Sequence, residues 1–205
     1  MVEANGKENF SGELFGHFMN RNRKLLVACV AIAVTLIADQ DGAAQDSQWV
    51  LEQSTLTYHV SHPLHQVEGV SHAARGKGIC HAGECDFLIA VAVKSFDSGD
   101  SNRDLHMQQV TKAGQFPLVT VRTRLPETLA ESAMIDADLQ VEFAGQTVQY
   151  KQVPLQQVTQ GNQVRITGAI PAKVSDFKID PPSLFTVAIK NDIPVNVEMI
   201  WQREK

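Results

Sequence analysis

Histidines are concentrated in one part of the sequence: five of the seven fall between His59 and His81. His59, His62 and His65 lie three residues apart, and neutral imidazole binds zinc or copper. Such spacing would align the rings on a helix, but Pro63 and the strand-like alternation before it argue against a helix. No carboxylate or cysteine sits at a recognised ligand spacing. We therefore expect a solvated histidine-rich loop and assign no metal ligands, and we keep periplasmic metal binding or a redox-accessory role as the alternative function.

Two of the three cysteines, Cys80 and Cys85, flank the turn sequence His-Ala-Gly-Glu. Cys80 ends one apolar run and Cys85 begins the next, so the two side chains could face each other across a hairpin. In an oxidising compartment we expect a disulfide between them. Zinc bound by both cysteines and His81 is the alternative, but a fourth ligand is not evident at normal spacing.

Motifs for catalysis are missing from the sequence. There is no Gly-x-Ser-x-Gly elbow, no His-Glu-x-x-His and no phosphate-binding loop. Asp136 and Asp138 share one face of a predicted strand and are expected to be solvated. We predict no catalytic residues, no bound cofactor and no enzymatic activity.

One long segment, Lys94–Pro117, lacks the alternation typical of strands. Gly99 ends the preceding strand, and Ser101–Asp104 has the pattern of a capping box, with Ser101 as the N-cap. Gly114 fits the end of the helix, and Pro117 prevents its continuation. The sequence therefore predicts one short helical crossover between strands.

The rest of the chain after residue 48 alternates apolar and polar side chains in short runs separated by turn residues, which is typical of an antiparallel barrel. About eight strands enclose either a packed core or room for one slender ligand, and the alternation favours neither. The interior candidates are the apolar strand residues Tyr58, Phe87, Ile89, Val91, Val119, Val121, Leu139, Val141, Phe143, Val195 and Val197.

The predicted crossover also carries a family resemblance. The segment S-G-D-S-N-R-D-L-H-M followed by Q-F-P resembles the signature of the YceI-like family of bacterial periplasmic lipid-binding proteins. A second segment, Ser175–Ile179 with Pro182–Leu184, resembles the last part of that family before its terminal strand. The resemblance extends from about Trp49 to Trp201.

The resemblance implies a lipocalin-like barrel with a tunnel for a long isoprenoid or fatty chain. It also implies a role for Arg103 at the tunnel mouth, in contact with the lipid, and a structural salt bridge is the alternative for this residue. For Asp104 we prefer helix capping. Family members often pair as dimers, so a homodimer is included among the expectations, although no face in this sequence demands one. We expect no nucleic acid partner, because the net charge is −5 and no basic cluster lies outside the N-terminus.

The N-terminal part of the chain has the features of a secretory signal. A basic segment with Arg21, Arg23 and Lys24 precedes the apolar run Leu25–Ala38, and small residues follow. That run is shorter than the roughly 20 residues that span a bilayer, although an uncleaved anchor is the alternative. We expect residues 1–18 to be a mis-annotated upstream extension, residues 19–44 a signal peptide and residues 45–205 the barrel domain.

Taken together, the sequence predicts an all-β protein: a single antiparallel lipocalin-like β-barrel with one short helical crossover, preceded by a signal peptide. The expected function is that of an exported, periplasmic carrier that holds an amphiphilic lipid without catalysis. Transient contact with a membrane would load and unload such a carrier.

Overall fold

The computed structural model of the chain describes residues 47–62, 65–128, 132–180, 183–184 and 187–204. The predicted upstream extension and signal peptide, residues 1–44, lie outside these ranges. None of the helices within them has the length and apolar character needed to cross a bilayer.

The strands are β1 (Ser47–His62), β2 (His65–Ser71), β3 (Arg75–His81), β4 (Glu84–Ala92), β5 (Leu118–Pro126), β6 (Met134–Phe143), β7 (Gln146–Gln160), β8 (Gln163–Ile170), β9 (Ser183–Leu184), β10 (Val187–Ala188) and β11 (Val195–Glu204). The α-helix is α1 (Ser101–Val110), and short 3₁₀ turns lie at Val93–Ser95 and Val174–Phe177.

Eight strands close into an antiparallel barrel. Their order is β11-β8-β7-β6-β5-β4-β3-β1, and β1 pairs with β11 to complete the ring. Closure pairs the two end strands of this order with each other, so neither is the edge of an open sheet. The predicted fold class, an antiparallel barrel with one helix, is confirmed.

The segment between residues 65 and 81 forms two strands, β2 and β3, rather than one continuous strand. β3 pairs with the first residues of β1, and β2 pairs with its last residues. Between them the Ser71 hydroxyl accepts a hydrogen bond from the Ala73 amide at 3.2 Å and lies 2.7 Å from the Ser95 hydroxyl. These contacts satisfy the Ser71 hydroxyl and the Ala73 amide where the chain leaves the β1–β2 ladder. The break between β2 and β3 therefore leaves these groups paired.

The helix begins one residue earlier than the sequence pattern suggested. Asp100, rather than Ser101, is the N-cap, because its carboxylate accepts from the backbone amides of Asn102 at 2.9 Å and Arg103 at 3.1 Å. The predicted capping box is therefore wrong. The helix also ends at Val110, before Gly114, where the Thr111 hydroxyl donates to the Met107 carbonyl at 2.8 Å.

One end of the barrel is closed by aromatic rings that lie over glycines. The Phe87 ring covers Gly78, where an added Cβ would come within 2.3 Å of the ring. The Trp201 ring covers Gly76 in the same way, with a closest approach of 2.6 Å. The two rings meet edge to face with centroids 5.2 Å apart, a favourable aromatic geometry. We call these four residues the floor of the barrel.

The disulfide between Cys80 and Cys85 is confirmed. The two residues pair directly across the β3–β4 hairpin, and both side chains are buried near the floor. The cross-link therefore fixes the hairpin that carries both floor glycines.

We predict that the double variant Cys80→Ala/Cys85→Ala loses stability. Chain-entropy arguments give about 2 kcal/mol for so short a loop, because the cross-link restricts the unfolded chain. Urea unfolding of the oxidised and chemically reduced wild-type chain and of the variant measures this loss. The reduced wild type is the matched control, since it keeps both side chains, and equal stability of its oxidised and reduced forms would contradict the prediction.

Candidate functional site

A cavity of about 460 Å³ occupies the half of the barrel away from the floor. Its wall is almost entirely aliphatic and aromatic, and its volume falls in the range of small-molecule binding sites. Inward-facing side chains of β1, β4, β5, β6 and β11 contribute to this wall, since alternate residues of a barrel strand point inward. The barrel is therefore filled at one end and hollow at the other.

Most residues predicted from alternation lie in the cavity wall. These are Tyr58, Ile89, Val91, Val119, Val121, Val141, Phe143, Val195 and Val197, together with Arg103. Two of the predicted contacts do not line the cavity. Phe87 is in the floor, where its ring is held over Gly78, and Leu139 is only 4% exposed in the filled half of the barrel. Both face inward as expected, but they lie below the hollow part.

The sequence reasoning missed the residues that surround the cavity mouth. They come from α1 and from irregular segments, where no alternation marks an inward face. They include Phe96, Met107, Val174, Phe177, Ile179 and Ile193. The signal that could have identified some of them is the apolar content of the 3₁₀ turn, in which Val174 and Phe177 are buried.

Polar groups at the mouth are organised by Ser98. Arg103 donates from Nε to the Ser98 hydroxyl at 2.9 Å and from Nη2 to the Ser98 carbonyl at 2.7 Å. Asp104 accepts from the Ser98 amide at 3.1 Å and from its hydroxyl at 2.6 Å. The pKa of the nearby Tyr58 hydroxyl is raised by burial and by the charge of Asp104, and Arg103 opposes that rise. Arg103 thus lies at the cavity wall in a fixed orientation.

Tyr150 joins the wall to the 3₁₀ turn at the mouth. Its hydroxyl donates to Asp176 Oδ2 at 2.8 Å, and that carboxylate oxygen also accepts from the Lys173 amide at 3.2 Å. Burial of the ring raises the pKa of Tyr150 strongly, and the hydrogen bond to Asp176 and its charge raise it further. The arrangement is structural, since it fixes an irregular segment to β7.

The described histidines do not form a metal centre. Among residues whose side chains the structure describes, no three histidine, cysteine or acidic groups are close enough to hold a metal ion. His59 lies 3.1 Å from a Glu68 carboxylate oxygen and 2.9 Å from the Asn196 amide. The side chains of His62 and His65 lie outside the described part.

A family model described as the YceI-like domain matches residues 49–200. The chain belongs to the YceI-like family. This confirms the resemblance drawn from the crossover segment. No match to a curated protein reaches significance.

Two solved structures resemble this YceI-like chain in fold. One is a polyisoprenoid-binding domain from Saccharophagus degradans implicated in plant cell wall breakdown, with 14% identity and a TM-score of 0.62 over 76% of this chain and 98% of that one. The other is BcnA from Burkholderia cenocepacia, with 15% identity and a TM-score of 0.61 over 72% of this chain and 95% of that one. At such low identity these similarities establish the fold.

The Tyr150 contact predicts an alkaline loss of stability. Its pKa in the folded chain is above its ordinary value of 10.0, so its contribution is fully present below pH 10 and is lost as the pH rises towards the folded value. Replacing Tyr150 by Phe should cost about 1 kcal/mol near neutral pH, because the partly buried hydrogen bond to Asp176 is lost. The variant should then lose less stability than the wild type above pH 10.

Urea unfolding at intervals from neutral to alkaline pH tests this difference. Tyr58→Phe is measured alongside, because it shows how much of the alkaline loss of stability comes from Tyr58, the other tyrosine of the chain. Identical alkaline slopes for the wild type and Tyr150→Phe would show that Tyr150 ionises equally in the folded and unfolded chains.

Proposed function

We propose that the chain is an exported carrier that holds a long-chain isoprenoid or other amphiphilic lipid in the barrel cavity, without catalysis. The observation that carries the proposal is a cavity with an almost wholly apolar wall, closed at one end by the floor. An apolar chain can enter through the mouth and leave its polar end near water.

The energetics fit a slender apolar ligand. Burial of each CH₂ group removed from water contributes about 0.8 kcal/mol, and this contribution needs no directional contact. The wall residues inferred from alternation, among them Ile89, Val121 and Val141, supply the surface for such burial. Affinity for the lipid would therefore depend on the length of chain that fits above the floor.

The comparisons support this ligand class. The YceI-like relative from Saccharophagus degradans is described as a polyisoprenoid-binding domain, and its fold covers most of the present chain. Shared fold alone does not fix function. The support for lipid binding here comes from the combination of that fold with a hollow, apolar interior.

Export is supported by the disulfide and by the N-terminal sequence. Disulfides persist in oxidising compartments and are rare in the bacterial cytosol. The basic segment and apolar run before residue 45 fit a secretory leader. We propose a periplasmic location, with transient membrane contact for lipid exchange and pairing of two copies as a further expectation.

The absence of catalysis is part of the same proposal. The polar groups of Arg103, Asp104 and Tyr150 at the cavity have structural partners in Ser98 and Asp176. A carrier needs no chemical step, since binding and release follow from burial of the tail. Turnover of a bound lipid by the purified chain would contradict this part of the proposal.

A pair of adjacent residues on β5 offers a matched test of the cavity. Val121 lines the cavity, whereas its neighbour Arg122 is exposed on the outer face of the barrel. We expect Val121→Trp to weaken binding of geranylgeraniol by about tenfold, because the indole displaces about two CH₂ groups of the ligand. Arg122→Trp should bind the alcohol as the wild type does.

Titration of the delipidated chain with the alcohol below its aggregation concentration measures both affinities. Circular dichroism shows whether each variant keeps the barrel. Failure of the wild type to bind geranylgeraniol would reject the carrier function. Equal binding by both variants would place the ligand outside the cavity.

A further inference from the structure

The helix α1 places two polar side chains at the cavity mouth. Arg103 and His106 both line the cavity, and residues three apart on a helix are neighbours on its surface. Met107 and Val110 complete the same side of the helix with apolar groups. The mouth therefore presents hydrogen-bond donors at the end of an apolar tunnel.

Within the described part of the chain, the Arg103 guanidinium keeps donors free for a ligand. It has five N–H groups, and its contacts to Ser98 use one on Nε and one on Nη2. Those contacts fix the plane of the group, so little ordering is needed when a ligand binds. The side chain is half-buried, next to the apolar wall.

The positive charge of Arg103 has no acidic counterpart in the cavity wall. Among the described residues that line the cavity there is no Asp or Glu. The neighbouring Asp104 does not line the cavity, and its carboxylate accepts two hydrogen bonds from Ser98. A cation beside an apolar wall is stabilised by an anion that comes with the ligand, through short charge-assisted hydrogen bonds.

We infer that the cavity selects lipids with an anionic head group, a carboxylate or a phosphate, and that Arg103 and His106 hold this group at the mouth. The inference rests on the proposed function and deepens it, since it names the ligand's polar end. Arg103 binds the anion through its planar fork, and His106 adds an imidazole N–H from the next turn of the helix. The hydrocarbon chain then extends along the wall towards the floor.

The test compares ligands that share a tail and differ in the head. Hexadecanol, hexadecanoate and hexadecyl phosphate are titrated into the delipidated chain below their aggregation concentrations. We expect the wild type to bind at least one of the two anions about tenfold or more tightly than the alcohol, the range of a charge-assisted contact. The better of the two anions identifies the head group.

Variants separate recognition from structure. Arg103→Gln should lose most of the preference for the anion, so that its affinities for hexadecanol and for the better anion come within about twofold of each other. His106→Gln should reduce the preference less, because the charged fork of Arg103 remains in place. Arg122→Gln, which removes a charge from the outer face, is the control for a general loss of positive charge and should keep the full preference.

The possible outcomes distinguish the two proposals. Equal binding of alcohol and anions by the wild type would overturn the anionic-head inference and leave the carrier function intact. Equal loss of all three ligands in Arg103→Gln would show a structural role for Arg103 and also overturn it. Binding of none of the three by the wild type would overturn the inference, and the geranylgeraniol titration then decides separately whether the carrier function stands.

Discussion

The packing of the Phe87 and Trp201 rings over Gly78 and Gly76 is the constraint on which the rest of the structure depends. A side chain at either glycine would collide with a ring, so the two residue types must occur together. The two rings fill the barrel interior at the level of the two glycines. Beyond that level, the inward-facing side chains of the strands line a cavity. Without this floor, an apolar tunnel would be open at both ends and would admit water.

The filled end also keeps the barrel in one geometry. The disulfide fixes β3 against β4 beside the floor, and the pairing of β1 with β11 closes the ring. In β7 the bulge at Gln152, which has a φ of 51° and whose amide donates to Asp138 at 2.9 Å, lets the strand bend. Because this end is rigid, the mouth can be formed by a helix and irregular turns. Contacts such as that of Tyr150 with Asp176 fix these segments to the wall.

The sequence predicted the barrel because alternation is a local property that repeats in almost every strand. It also predicted the disulfide, since a short turn between two cysteines leaves little choice of partner. It could not divide the interior into a filled and a hollow half, because Phe87 and Leu139 alternate in the same way as Ile89 and Val141. That division depends on which side chains fill the barrel at each level, such as the Phe87 ring over Gly78, and alternation along a strand does not show it.

The details of the crossover show a similar limit. Asp100 and Ser101 are both good N-cap residues, and in the structure Asp100 caps the helix while Asp104 accepts hydrogen bonds from Ser98. The mouth residues of the 3₁₀ turn were not predicted as cavity wall for a comparable reason, since irregular segments have no period from which an inward face can be read. Arg103 was identified only through the family resemblance.

The central claim is that the hollow half of the barrel holds a lipid, and native mass spectrometry of the chain purified from the exported fraction of cells that produce it tests this most directly. Gentle ionisation followed by solvent extraction would identify any bound molecule. The account predicts a complex with one long-chain amphiphile, released as an isoprenoid or acyl lipid on unfolding. A chain that carries no lipid when isolated, and that takes up none when exposed to a lipid extract of the same cells, would contradict it.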